Sequence, residues 1–302
     1  MSSDWLDGRI GLSGPSLRVK RSPEGVEALG AFCVEHGVEL VAMEATGGYE
    51  RLAFGLLWAA GLPCVVVNPR SVRRFAEAMG FLEKTDRIDA GVIARFAQVK
   101  RLVAQAPASA GQERLRALLV RLRQLTQLKV AQTNQRRLLE QAEAKASIDE
   151  LLALVGRQIA SFEAKVLELL NSDPLWRALD QAFREIKGVA DRTVASLMAD
   201  LPEIGTLSNK AVAKLVGLAP IANDSGKRQG RRSVRGGRTQ VRAILFTIAS
   251  GVRRHNPDFA DFHQRLIAAG KSKKAARLAV ARKLLVRLNA KARDARKALA
   301  TD

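Results

Sequence analysis

Hydrophobic and polar positions follow two rhythms along the first hundred residues. Val38–Ala45 (VELVAMEA) and Cys64–Asn68 (CVVVN) are short, β-branched apolar runs, whereas Glu24–His36 and Tyr49–Ala60 carry apolar side chains at helical spacing. This alternation predicts parallel strands joined by crossover helices, an α/β arrangement. Upstream, DGRIGLSGPSLRVKRS predicts two short strands about the turn Ser13-Gly14-Pro15, an antiparallel hairpin.

From Gly111 to Leu170 the pattern lengthens. Ile148, Leu152, Val155, Ile159, Phe162, Val166 and Leu169 form a heptad seam, and Leu115, Leu118, Leu122 and Leu125 begin another that Lys129 and Gln132 interrupt. An antiparallel helical hairpin or coiled coil turning near Ala144–Ser147 is predicted, serving as scaffold or dimer contact. The last third is mainly helical. IKGVADRTVASLMADL (Ile186–Leu201) has the shape of a helix-hairpin-helix turn, with Ala190 where a second glycine is usual. A loop from Pro220 to Arg238 holds six Arg or Lys and four Gly, and a helix resumes near Thr239. GKSKKAARLAVARKLLVRLNA then predicts a basic amphipathic helix with Leu278, Arg282, Leu285 and Leu288 at helical spacing. Three domains result: residues 1–110, residues 111–182 and residues 183–302.

Charge sharpens this division. The first segment holds 13 Lys+Arg against 12 Asp+Glu, the second 11 against 9, and the third 26 against 9, so nearly all of the net +20 lies in the last third. Such segregation favours a polyanion, nucleic acid, over a merely solvated helical surface. Glycines allow close backbone approach and arginines take phosphates bidentately, so the candidate nucleic-acid contacts are Lys227, Arg228, Arg231, Arg232, Arg235, Arg238 and Arg242, with Lys271, Lys273 and Lys274 beside them. A membrane-surface or calmodulin-target helix is the competing reading of the last segment. The longest mainly apolar run, Ala53–Val67, is broken by Gly55, Gly61 and Pro63, too short to span a bilayer. The N-terminus has neither signal- nor transit-peptide character, and cytoplasm is expected. Cys33 and Cys64 read as buried thiols, and His36, His255 and His263 show no ligand spacing.

Three acids remain. On the helix predicted for KTDRIDAGVIARFAQ, Asp86 and Asp89 share a side with Ala90, Ile93 and Ala97, extending the apolar stripe where unpaired carboxylates are costly. Glu44, at the end of its strand, is placed to meet them at the carboxyl edge of the sheet. Oxygen ligands of this kind suit Mg²⁺ or Mn²⁺ and phosphoryl transfer. The alternative stays open: Asp86 as an N-cap and Asp89 paired with Arg87 or Lys84.

MEATGGYE, VNPRSVRRFAEAMGFLEKTDRIDA, GLAPIANDSGKRQGRRSVRGGRTQVR and RHNPDFADFHQRLIAAGKSKKAARLAVARKLL resemble the DEDD-type transposases of bacterial insertion sequences, relatives of the Piv invertases, over nearly the whole chain. The resemblance implies an RNase H-like (RuvC-like) N-terminal domain whose four acids bind Mg²⁺, a coiled-coil linker, and a C-terminal transposase domain with a nucleophilic serine. It also implies a structured guide RNA, donor and target DNA, and dimers that pair as a tetramer, with sites composed from two subunits. By position, Glu44, Asp86 and Asp89 match the second to fourth acids, and Ser225 in NDSGK matches the serine. The first acid falls one residue before Met1; Asp4 and Asp7 do not match it. The corresponding strand would be the centre of the sheet, which places the expected start of the reading frame upstream.

Serine needs activation, and no histidine lies nearby in sequence. Metal coordination is one activator, with Arg228, Arg231, Arg232 and Arg238 placed to stabilise developing negative charge. The expected function is Mg²⁺-dependent DNA cleavage and strand exchange through a serine–DNA intermediate. A RuvC-like structure-specific nuclease and a catalytically inactive nucleic-acid binder are the alternatives.

Overall fold

The structure is a computed structural model that describes residues 2–81, 86–226, 230 and 232–301, without the side chains of residues 86–88. Two compact units divide the chain, Met1–Ala108 and Ser109–Asp302.

In the first unit, β1 (Trp5–Arg9) and β2 (Ser16–Lys20) form the predicted antiparallel hairpin, with Leu6 opposite Val19. Helix α1 (Pro23–Glu35) starts where sequence rules place it: Pro23 takes the first turn and the Ser22 hydroxyl accepts from the Gly25 N–H. Its inner face, Val26, Leu29 and Cys33, is buried. Next come β3 (Val41–Glu44), α2 (Glu50–Ala59) and β4 (Cys64–Val67), and β3 pairs with β4 in parallel, Glu44 opposite Val67. Helix α3 (Pro69–Ala78), capped by Asn68, is followed by α4 (Asp86–Lys100). Both β1 and β3 pack on α4, yet they are not hydrogen-bonded to each other, so the described strands make separate two-stranded sheets.

The second unit is helical. Helices α5 (Ala110–Leu138) and α6 (Ala142–Ser172) form the antiparallel hairpin, with Leu115, Leu122, Leu125, Val155, Ile159 and Val166 buried along its seam. The turn lies at residues 139–141, not at the expected Ala144–Ser147. The latter stretch continues the helix, and Arg136 grips Asp149 across the turn, Nη2 to Oδ2 2.7 Å. Helices α7 (Pro174–Arg184), α8 (Asp191–Asp200) and α9 (Asn209–Val216) follow, then the two-residue strands β5 (Pro220–Ile221) and β6 (Ser233–Val234), α10 (Thr239–His255), α11 (Pro257–Ala268) and α12 (Lys273–Thr301).

The basic amphipathic helix expected near the C-terminus forms as α12 and is the hub of this unit. α12 packs against α7, α9, α10 and α11, and Val280, Leu284, Leu285 and Leu288 are fully buried. Its cations lie along aromatic rings of neighbouring helices: Arg277 over Phe246 at 3.9 Å, Lys283 over Phe262 at 4.6 Å and Arg287 over Phe259 at 4.8 Å. Long basic side chains therefore cover apolar surface here. Buried Asn289 accepts from the Gly205 N–H at 2.9 Å and donates to the Leu207 carbonyl and Asn209 Oδ1 at 3.0 Å, fixing the turn between α8 and α9 on α12. Among the described residues no helix is long and apolar enough to cross a membrane.

Candidate active site and nucleic-acid surface

Glu44 closes β3 and Asp89 lies in the first turn of α4, and both border one cavity of about 620 Å³. Asp7, Arg9 and Thr46 border it too, above an apolar wall that includes Leu6, Leu29 and Ile93. The side chain of Asp86 lies outside the described residues; its backbone opens α4. Among the described residues, no cluster of three or more ligand-type side chains is close enough to hold a metal ion. Two carboxylates on a shared cavity nevertheless fit a hard divalent cation in donor chemistry.

One contributor went unnoticed in the sequence. The Glu50 carboxylate accepts from the N–H groups of Thr46 and Gly48, both at 2.9 Å, and the Thr46 hydroxyl donates to the Glu44 carbonyl at 2.9 Å. Glu50 thus folds the Thr-Gly-Gly bend behind Glu44, where Gly47 and Gly48 adopt φ of 65° and 105°. A TGG stretch followed two residues later by an acid at a helix start was the available signal.

Ser225 is exposed between β5 and β6, just before Gly226 at φ 53°. Asp224 shapes this excursion: Oδ1 accepts from the Gly230 N–H at 3.0 Å and Oδ2 from Arg232 at 2.6 Å. Both oxygens of that neighbouring carboxylate are engaged. Among the described residues, none is hydrogen-bonded to the Ser225 hydroxyl as a base.

The basic residues separate into classes. Lys227, Arg228 and Arg231 lie outside the described residues. Arg235, Lys271, Lys273 and Lys274 are exposed. Lys273 and Lys274 occupy the first turn of α12, where the helix dipole disfavours cations and a bound polyanion would offset the repulsion. Arg238 and Arg242 face inward. Arg238 forks onto Glu203, Nη2 to Oε1 2.5 Å and Nη1 to Oε2 2.6 Å, and also reaches the Asp200 carbonyl at 2.9 Å. Partial burial pushes the Glu203 carboxyl up, but Arg238, a backbone N–H and the charge of Arg116 together outweigh it and hold the group below the usual range. A depressed carboxylate pKa contributes stability above the ordinary glutamate value that is lost as pH falls through the depressed one. The ion pair therefore stands at neutral pH.

At the turn resembling a helix-hairpin-helix, Gly188 has φ 96° and a Cβ there would come within 2.8 Å of Val252 Cα. Close packing on α10 accounts for this glycine. Ala190 gives α8 no side-chain cap, and Asp191 in its first turn pairs with Arg184 at 2.6 Å.

DNA affinity is expected to fall log-linearly with salt, and changing Lys271, Lys273 and Lys274 together to Gln should shallow that slope by about 3. Fluorescence anisotropy on a duplex at several salt concentrations checks this; an unchanged slope removes these lysines from the interface.

The family model for DEDD transposases of the IS110 type matches residues 11–142, and the model described as "Transposase IS116/IS110/IS902 family" matches residues 180–264. Pilin gene-inverting proteins of Moraxella lacunata and Moraxella bovis are each 30% identical over 251 residues, covering 80% of this chain and 76% of theirs. An uncharacterized protein of insertion element IS110 from Streptomyces coelicolor is 30% identical over 150 residues, covering 49% of this chain and 36% of its own. This chain belongs to the IS110 transposase family and is a DNA transposase or recombinase.

Proposed function

We propose that this enzyme cuts and exchanges DNA strands in two chemically distinct parts: a divalent-metal centre built on Glu44, Asp86 and Asp89, and a nucleophilic Ser225. The observation that carries the reading is the meeting of Glu44 and Asp89 at one cavity, at a strand end and a helix start, in a transposase chain. A bound Mg²⁺ or Mn²⁺ would supply charge neutralisation and acidify a coordinated hydroxyl. The chain's own groups do the rest. Asp224, Gly226 and Gly230 hold Ser225 outward, its hydroxyl attacks a DNA phosphodiester, and the 3′-hydroxyl of the cleaved strand leaves; religation to the exchanged strand reverses the linkage. Capturing a protein–DNA adduct after denaturation tests this, because a nuclease using water leaves none and a simple binder cuts nothing.

The first unit is read as an RNase H-like domain. Two observations support it: the hairpin β1–β2 and the parallel pair β3–β4 lie on one helix, α4, and their unpaired edges flank the cavity. Arg9 Nε, on that cavity's wall, is buried without a hydrogen-bond partner among the described residues. One extended strand seated between β1 and β3 would join the pairs into a single sheet and satisfy backbone groups on both edges.

Guide RNA and donor and target DNA are the proposed ligands, and a dimer pairing as a tetramer is the proposed assembly. Val120, Leu128, Leu154 and Leu167, exposed on α5 and α6, support self-association along the helical hairpin.

A further inference from the structure

We propose that Glu203, Arg238 and Arg242 are a positioning brace that sets where Ser225 stands, and that the two arginines do not take DNA phosphates. This rests on the reading of Ser225 as the nucleophile.

The need for a brace follows from the loop itself. Among the described residues the β5–β6 ladder consists of the register pairs Pro220–Val234 and Ile221–Ser233, and proline has no N–H to donate. Asp224 ties Gly230 and Arg232 together within the loop, while where the loop stands on the helices is set at its feet. One foot leaves α9 through Gly217 at φ 76°; the other enters α10 through Gly236 and Gly237 at φ 70° and 66°. These feet touch: a Cβ on Gly237 would stand 2.4 Å from the Gly217 nitrogen, and the Arg238 N–H donates to the Leu215 carbonyl at 2.9 Å.

Arg242 then bridges the feet, Nη1 donating to the Gly236 carbonyl at 2.5 Å and to the Gly217 carbonyl at 3.3 Å. Arg238 ties the same junction to Glu203 and the Asp200 carbonyl. That turn is itself held on buried Asn289 through Gly205. A path of hydrogen bonds, charge-assisted at the two arginines, therefore runs from the helical core to the base of the loop. In this arrangement both Nη groups of Arg238 and Nη1 of Arg242 are spent on the junction rather than offered to a phosphate.

The test uses the full chain with Arg238→Glu, Glu203→Arg and the double exchange. Amide exchange at Ile221, Val234 and Arg238 should quicken by about tenfold in each single variant and return in the double one. Exchange in α6 should not move. Covalent capture on DNA should slow by about tenfold to a hundredfold in the singles and recover in the double, with DNA affinity unchanged. Should Arg238→Glu fail to fold, Arg242→Lys, which keeps the charge and loses the guanidinium reach, gives the same readout. Unaltered loop exchange, or a loss of affinity matching the loss of rate without recovery in the double exchange, overturns the brace. Quickened exchange that is rescued while capture stays constant leaves the brace standing and overturns the nucleophile.

Discussion

Ser225→Ala is expected to reduce covalent protein–DNA adduct by at least about a thousandfold, because the attacking atom itself is removed and no second route to the adduct remains. DNA affinity should stay within about twofold, since one small exposed hydroxyl contributes little beside the phosphate contacts of a basic surface. Ser233→Ala is the informative control. Ser233 belongs to the same hairpin and is also exposed, but it lies in β6, in register with Ile221, and not in the turn shaped by Asp224. It should form adduct at the parent rate. Denaturing gels of a labelled duplex incubated with Mg²⁺ read both variants. Adduct persisting in Ser225→Ala, or disappearing in Ser233→Ala, would move the nucleophile elsewhere.

How much of this could be read beforehand depended on whether the signal was local. Ser22-Pro23 and Asn68-Pro69 mark helix starts because capping is settled within one turn, and both helices begin there. The β-branched runs likewise yielded β3 and β4, trimmed at their ends. The turn between α5 and α6 was misplaced because residues 139–141, Leu-Glu-Gln, lack glycine and proline, and an ion pair closing the hairpin leaves no local mark. The helix α12 was expected, but its central position was not legible for a related reason. Its buried face is rich in small residues, Ala276, Ala281 and Ala292, and includes Asn289, while its cations cover rings supplied by α10 and α11. Composition sees charge; it does not see what the charge lies upon.

The site divides in the same way. Strand end and helix start place Glu44 and Asp89 from the sequence, and both border one cavity; their service as metal ligands is the proposal made above. The hydrogen-bond partners of Arg238 and Arg242 were not readable, since a run of arginine and glycine is equally the composition of a phosphate cradle and of a loop tied to its helices. Only the partner decides. Glu203 lies 35 residues away in sequence from Arg238, and nothing in the loop announces it.

Glu44→Gln and Asp89→Asn should each lower Mg²⁺-dependent strand cleavage by at least about a hundredfold while leaving DNA binding intact. Each change preserves size and shape and removes one negative charge, and the Mg²⁺ dependence of the loss reads the ability to hold a cation. Asp7→Asn provides the contrast on the same cavity. Asp7 is 12% exposed in β1 and lies 3.7 Å from Arg18, an ion pair within the β1–β2 hairpin that needs no metal. Its loss should therefore alter stability slightly and cleavage by less than about threefold. Cleavage rates across a Mg²⁺ titration, with binding measured in its absence, separate the cases. Parent-like cleavage by both Glu44→Gln and Asp89→Asn would end the metal-centre reading, and equal damage from Asp7→Asn would place a third carboxylate in the centre.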